Sequence, residues 1–303
     1  MKNSAVLVLV MALLFAACEP EISFVKEKIP ASLDGFYQKQ RGVTQPFSIS
    51  NTSGGVITTS KGGKIYLPAN GFETLSGGAV SGSVDISVKE ILTPQDMIFN
   101  NIPTTSGGLL LESGGMYNIK VTKDNQPLRL KAGNFLRIVL PNIPGTDMNG
   151  MQVFNGRADA KGDVDWVPNN APGNFVVRDS IMFSNSSLFT DSINWINCDK
   201  FINDPTVPYT VYPGNAPSND STNVFVHLTG LNSIVKMNWT QGLSYFKSDN
   251  LLAVPSTLVG ISIKNGQLYA SLKAVNVQAG QSVTLNFTAY TESELKAKLA
   301  QLQ

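Results

Sequence analysis

Histidine occurs once in the 303 residues, at position 227, and cysteine twice, at positions 18 and 198. Those scarcities exclude a zinc cluster built from Cys and His, and equally a disulfide-stapled scaffold, because the ligands and bridges are not there. Charge of one sign is also missing. The 23 basic residues face 22 acidic ones, so the basic surplus that marks a nucleic-acid binder is absent. No apolar run comfortably reaches the roughly 20 residues of a membrane-spanning helix. What remains is apolar mass: 42% hydrophobic residues suffice for a sizeable core and argue against wholesale disorder. The 26 glycines and 16 prolines favour turns and strands. The length corresponds to about two domains of roughly 150 residues. Composition alone identifies no activity.

Residues 1–17 read MKNSAVLVLVMALLFAA. Lys2 ahead of the short apolar stretch Ala5–Ala17 has the form of a secretory signal peptide. The run Phe15-Ala16-Ala17-Cys18 resembles the lipobox of bacterial lipoproteins, with Phe15 where Leu is commoner. That resemblance implies cleavage before Cys18 and acylation of the new N-terminus, palmitate included, with about 0.8 kcal/mol gained per buried CH₂. It implies a protein that sits on the outer membrane of a Gram-negative cell without spanning it. Glu19-Pro20-Glu21 is similar to the acidic surface-export signals of some such lipoproteins, which favours the cell surface over the periplasmic face.

Residues 18–43 form a tether and lead-in, with a short helix expected around Asp34–Gln40. A period of two then dominates, the mark of half-buried strands. It runs through Lys64–Leu67, Val84–Val88, Tyr117–Val121, Leu128–Leu130 and Phe135–Leu140. Gly- and Asn-bearing turns separate these segments, which predicts an antiparallel β-sandwich over residues 44–141. Gly62-Gly63-Lys64-Ile65-Tyr66-Leu67-Pro68-Ala69-Asn70-Gly71-Phe72 resembles the opening of a ZU5-like sandwich. Pro103-Thr104-Thr105 and Leu110-Leu111-Glu112-Ser113-Gly114-Gly115-Met116 are similar to segments of uncharacterised surface lipoproteins of that type. The resemblance implies an interaction module and carries over no catalytic residue.

Residues 142–290 read as a second β-rich domain. Met151–Phe154 and Val164–Val167 suit a hairpin, and strands are expected at Val224–Leu228, Ile234–Trp239, Leu258–Ile263, Leu268–Leu272 and Val283–Phe287. Asn265-Gly266 between two apolar runs predicts a type I′ turn. A helix over 291–303 closes the chain: Thr291 and Glu294 form a capping box, and Leu295, Leu299 and Leu302 make an apolar stripe expected to dock on the second domain. The expected fold is therefore all-β, with two antiparallel sandwich-like domains and a short C-terminal helix.

No catalytic constellation emerges. His227 lies within a strand without nucleophile-elbow spacing anywhere in the chain, and Cys198 has no base beside it. Asp159, Asp163 and Asp165 are loosely calcium-like in ligand type, but their spacing fails the EF-hand rule, so a solvated turn is expected. No metal or cofactor is expected. Trp239 alternates in phase with Val235 and Met237 and should point into a core. Trp195, flanked by Asn194 and Asn197, is the candidate ligand-contacting aromatic, with Tyr209 and Tyr212 as companions in a sugar-binding groove. Ser180, Ser192 and Ser221 each follow Asp and precede Ile or Thr, a pattern that resembles a bacterial O-glycosylation acceptor. The expectation is a non-enzymatic module that binds a protein or glycan partner at the envelope, held to the membrane by its lipid. A structural surface protein is the alternative, and a carboxylate-based glycan hydrolase a more distant one.

Overall fold

A computed structural model describes residues 28–158, 163–184, 195–217, 221–240 and 242–302. The signal segment and Cys18 lie outside the described residues. The fold is all-β and sandwich-like, with three short helices among the described residues.

The first sandwich packs a nine-stranded antiparallel sheet on a five-stranded one. The larger sheet runs Gln45–Ser50, Ser83–Ile91, Leu109–Lys123, Trp195–Phe201, Gln152–Ala158, Val164–Pro168 along its main path. The smaller runs Phe175–Val177, Ser180–Phe183, Leu136–Val139, Lys64–Leu67, Gly55–Thr58. Alternate residues from both, such as Ile65, Ile86, Ile119, Ile138 and Ile196, are buried in one core between them, as a period of two dictates.

The second sandwich pairs a four-stranded sheet with a five-stranded one. Thr222–Leu228 and Pro255–Lys264 lie at the centre of the five-stranded sheet, and Asn265 and Gly266 turn the chain with φ of 52° and 68°, as a type I′ turn requires. Thr206–Tyr212 pairs in parallel with Ser282–Thr284, a departure from the expected all-antiparallel pairing. The expected strand Ile234–Trp239 divides instead at Met237, so that Ile234–Lys236 joins one sheet and Asn238–Thr240 the other. Trp239 is half-buried, its ring 4.9 Å from that of Phe246.

The two sandwiches meet back to back. A second core lies between the outer face of the nine-stranded sheet, which contributes Leu111 and Met116, and the outer face of the five-stranded one, which contributes Phe225 and Ile261. Three helices fill its margin: α1 (Leu33–Gln40), α2 (Pro94–Asn100) and α3 (Glu292–Leu299). Leu109–Lys123, Thr222–Leu228 and Pro255–Lys264 are consequently buried on both faces over most of their length. Such strands lose the alternation of a half-exposed one. Capping fixes α2, where Thr93 and Asp96 form a capping box and Pro94 opens the first turn. The expected box of Thr291 and Glu294 caps α3. Leu295 and Leu299 are fully buried, and the side chain of Glu292 accepts from Gln40 Nε2 at 2.5 Å and pairs with Lys39 at 2.6 Å.

This arrangement does not divide at Pro141. Gln152–Ala158, Val164–Pro168 and Trp195–Phe201 extend the sheet begun by residues 45–123, and Ser180–Phe183 pairs with Leu136–Val139. Strands up to Phe201 thus belong to the first sandwich, and strands from Thr206 to the second. Apolar burial is the reason: Val153, Ile181 and Ile196 complete the first core.

Candidate functional site

At the edge of the back-to-back layer, four segments leave a cleft of about 530 Å³. They are the entry to α2 (Leu92–Gln95), the loop Ile143–Gly145, the turn Thr229–Asn232 and the end of α3 from Leu299 to Leu302. Each is placed by a local device. The capping box starts α2 at Thr93, and Gly145 and Gly230 take φ of 80° and 83° to turn their loops. The walls are apolar, formed by Leu92, Pro94, Ile143, Leu231, Leu299 and Leu302, and no titratable side chain among the described residues lines the cleft.

One polar group in it is buried and specific. Asn232 is 8% exposed, and its Nδ2 donates to Leu92 O at 3.0 Å and to Ser113 O at 2.8 Å. Two carbonyl acceptors fix the amide's orientation and leave Oδ1 buried, with no partner among the described residues. A cleft with this volume and apolar walls suits an apolar group.

The residues singled out in the sequence do not assemble into one groove. Trp195 begins its strand opposite Asn118, is half-buried and lines a separate small recess. Asn194 lies outside the described residues. Asn197 is fully buried and committed: Ser113 Oγ donates to its Oδ1 at 3.0 Å, and its Nδ2 donates to Asp199 Oδ2 at 2.5 Å. It is therefore structural and cannot meet a ligand. Tyr209 is 3% exposed inside the second sandwich, whereas Tyr212 points outward with its ring 5.8 Å from that of Tyr245. Neither lines the Trp195 recess.

Ser180 is 2% exposed in a strand paired on both sides, with its hydroxyl bonded to Asp179. The folded chain therefore does not present it for glycosylation. Ser192 lies outside the described residues, and Ser221 is half-buried in a turn. Asp163 Oδ2 pairs with Lys236 at 2.7 Å, while Asp165 Oδ1 accepts from Gly107 N at 3.0 Å. The two carboxylates are thus engaged separately, and Asp159 lies outside the described residues. No cluster of three metal-ligating side chains occurs among the described residues.

Cys198 and His227 are buried. Burial, with the nearby Asp199 carboxylate, pushes the Cys198 thiol up, and burial pushes the His227 imidazole down. A β-bulge opposite Asn197–Asp199 accommodates Gly114 and Gly115, the latter with φ of 128°. Around it lie Glu112, Ser113, Asn197 and Asp199. Asp199 is fully buried, and that burial, with the neighbouring Glu112 charge, holds its carboxyl well above the usual range. Glu112 is tied to Lys200 at 3.2 Å. Neither acid lines the apolar cleft or the Trp195 recess; both sit beside the bulge.

Sequence reasoning missed the cleft. Asn232 sits in a five-residue turn segment between strands, where Gly230 marked only a change of direction. Among known proteins, no family model and no curated protein matches the chain. No helix among the described residues is long and apolar enough to cross a membrane.

Proposed function

We propose that the protein is an envelope lipoprotein, anchored through Cys18, that acts as a non-enzymatic binding module for a protein partner. The observation that carries this reading is the junction cleft, which is large and has apolar walls, with no titratable side chain among the described residues that line it. A neutral sugar would demand several polar contacts to replace its hydration. An apolar side chain meets what the cleft offers, so a protein segment suits it better than a glycan. The lipobox resemblance and the ZU5-like motifs support the same reading, the first by placing the module at the outer membrane and the second by its association with interaction domains. The acidic residues after Cys18 favour display at the cell surface.

Cross-linking from the cleft of the full chain in its host tests the reading. A photoreactive residue at Leu231 should trap one discrete protein, and Ala300→Trp, which fills the cleft from the end of α3, should abolish that adduct. Absence of any adduct from intact cells, or an adduct indifferent to the filled cleft, would overturn it. Cys18→Ala should move the protein from the membrane to the soluble fraction. If it stayed membrane-bound, the anchoring proposal would fail separately.

A further inference from the structure

The outer face of the five-stranded sheet in the first sandwich points away from the second sandwich, which packs on the other sheet. Strand register lays one continuous row across it: Val56, Tyr66, Arg137, Met182 and Phe175. Their neighbours along the strands, Ile57, Ile65, Ile138 and Ile181, fill the core behind, so alternation turns this row outward. Val56, Tyr66 and Phe175 in the row, with Phe135 and Val177 flanking it, are between 37% and 52% exposed. Eleven large hydrophobic side chains are exposed among the described residues, and the other six lie singly in separate strands and turns. Isolated exposed apolar residues are ordinary, whereas a contiguous patch marks a contact surface.

The charge within this face is of one sign. Arg137 stands at the middle of the row, its guanidinium 5.2 Å from the centre of the Tyr66 ring, and Lys64 lies exposed in the next row. Neither has an acidic partner within ion-pair distance among the described residues. None of the sheet's five strands contains Asp or Glu. Asp179, in the turn at the border, accepts from Ser180 Oγ at 3.0 Å and stands next to Arg178.

The order of charged and apolar groups selects the occupant. A second copy of the chain, meeting this one patch to patch, would set Arg137 and Lys64 against like charges. A membrane would take up Arg137 together with the apolar groups on either side of it, and a guanidinium in hydrocarbon is costly. A carboxylate flanked by apolar side chains matches the row, and Tyr and Arg are the residues that anchor protein interfaces. We propose that this face docks an acidic protein segment: its carboxylate pairs with Arg137, and its apolar side chains cover Val56 and Tyr66 on one side and Met182 and Phe175 on the other.

A photoreactive residue at Val56 of the full chain, irradiated in intact host cells, reports what lies on the face. It should give one discrete protein adduct. Arg137→Glu and Lys64→Glu should each lower its yield about tenfold, whereas Arg137→Lys should keep most of it. Carbodiimide joins an amine only to a carboxylate in direct contact. On envelopes isolated from the same cells it should link Lys64 to an Asp or Glu of that same protein, located by peptide mapping. Arg137 and Lys64 are exposed, so the purified variants should melt with the parent and keep the test valid. An adduct with phospholipid would assign the face to a membrane, one of doubled mass to a second copy, and one within the chain to its own residues. Any of these, the absence of an adduct, an adduct indifferent to both charge reversals, or a partner with no carboxylate linked to Lys64 would overturn the proposal.

Discussion

Asn232 and Ser113 join the two sandwiches by a reciprocal pair of hydrogen bonds: Ser113 N donates to Asn232 O at 3.0 Å, and Asn232 Nδ2 returns to Ser113 O at 2.8 Å. The same side chain also holds Leu92 O. Asn232→Ala would strand two buried carbonyls, at a cost of about 2–3 kcal/mol. Urea unfolding followed by far-UV circular dichroism should record that loss.

Asp199 responds to pH in the sense opposite to an ordinary surface acid. Its folded-state pKa lies above the unfolded value because burial and Glu112 disfavour the charged form. The folded protein therefore holds a proton that the unfolded chain releases above about pH 4, and stability falls as pH rises from there toward the folded pKa. Asp199→Asn keeps an acceptor for Asn197 and removes the titration. It should flatten this slope and raise stability at pH 7 by on the order of 1 kcal/mol, read from denaturant midpoints between pH 4 and 7.

His227 contributes a slope of the other sign. Burial depresses its folded pKa despite a hydrogen bond to the Leu231 backbone. The unfolded chain takes up a proton first as pH falls through about 6.5, so this contribution is present above that pH and lost below it. His227→Phe should lack the loss, visible as a shallower fall in melting temperature between pH 7 and 5. A parent protein whose slope matched the variant's over that range would contradict the assignment.

Thr93 caps α2 through its side chain, which accepts from Asp96 N at 3.2 Å. Thr93→Ala should destabilise by about 1 kcal/mol. Because Thr93 also borders the apolar cleft, partner cross-linking at Leu231 should weaken in the same variant.

Much of the fold was legible because its signals are local. Alternation marked Val84–Val88, Asn265-Gly266 marked the hairpin, and Thr291 with Glu294 marked α3. Helix α2 escaped because its seven residues are too few to display a helical period, although Thr93-Pro94-Gln95-Asp96 carries its cap. The limit of the first sandwich escaped for a different reason. Nothing local to Trp195–Phe201 says that it pairs with Leu109–Lys123, since that pairing is decided by which apolar faces complete a core. The site was harder still. Tyr209 and Tyr212 are three positions apart in one strand, so their side chains leave on opposite faces, and parity alone forbade the groove expected of them. A fragment of residues 44–141 should accordingly aggregate, because it leaves unpaired the edge of Leu109–Lys123 that Trp195–Phe201 covers.

Glu292 reaches Gln40 across 252 positions of sequence, and α1 and α3 fill the margin of the same back-to-back core. That layer cannot close until α3 has been synthesised. Contacts of such separation are slow to form, and until they do, Phe36, Phe225 and Ile261 remain open to solvent and to other chains. The order of synthesis thus sets the hazard: the sandwiches can gather locally, but the face between them waits for α3.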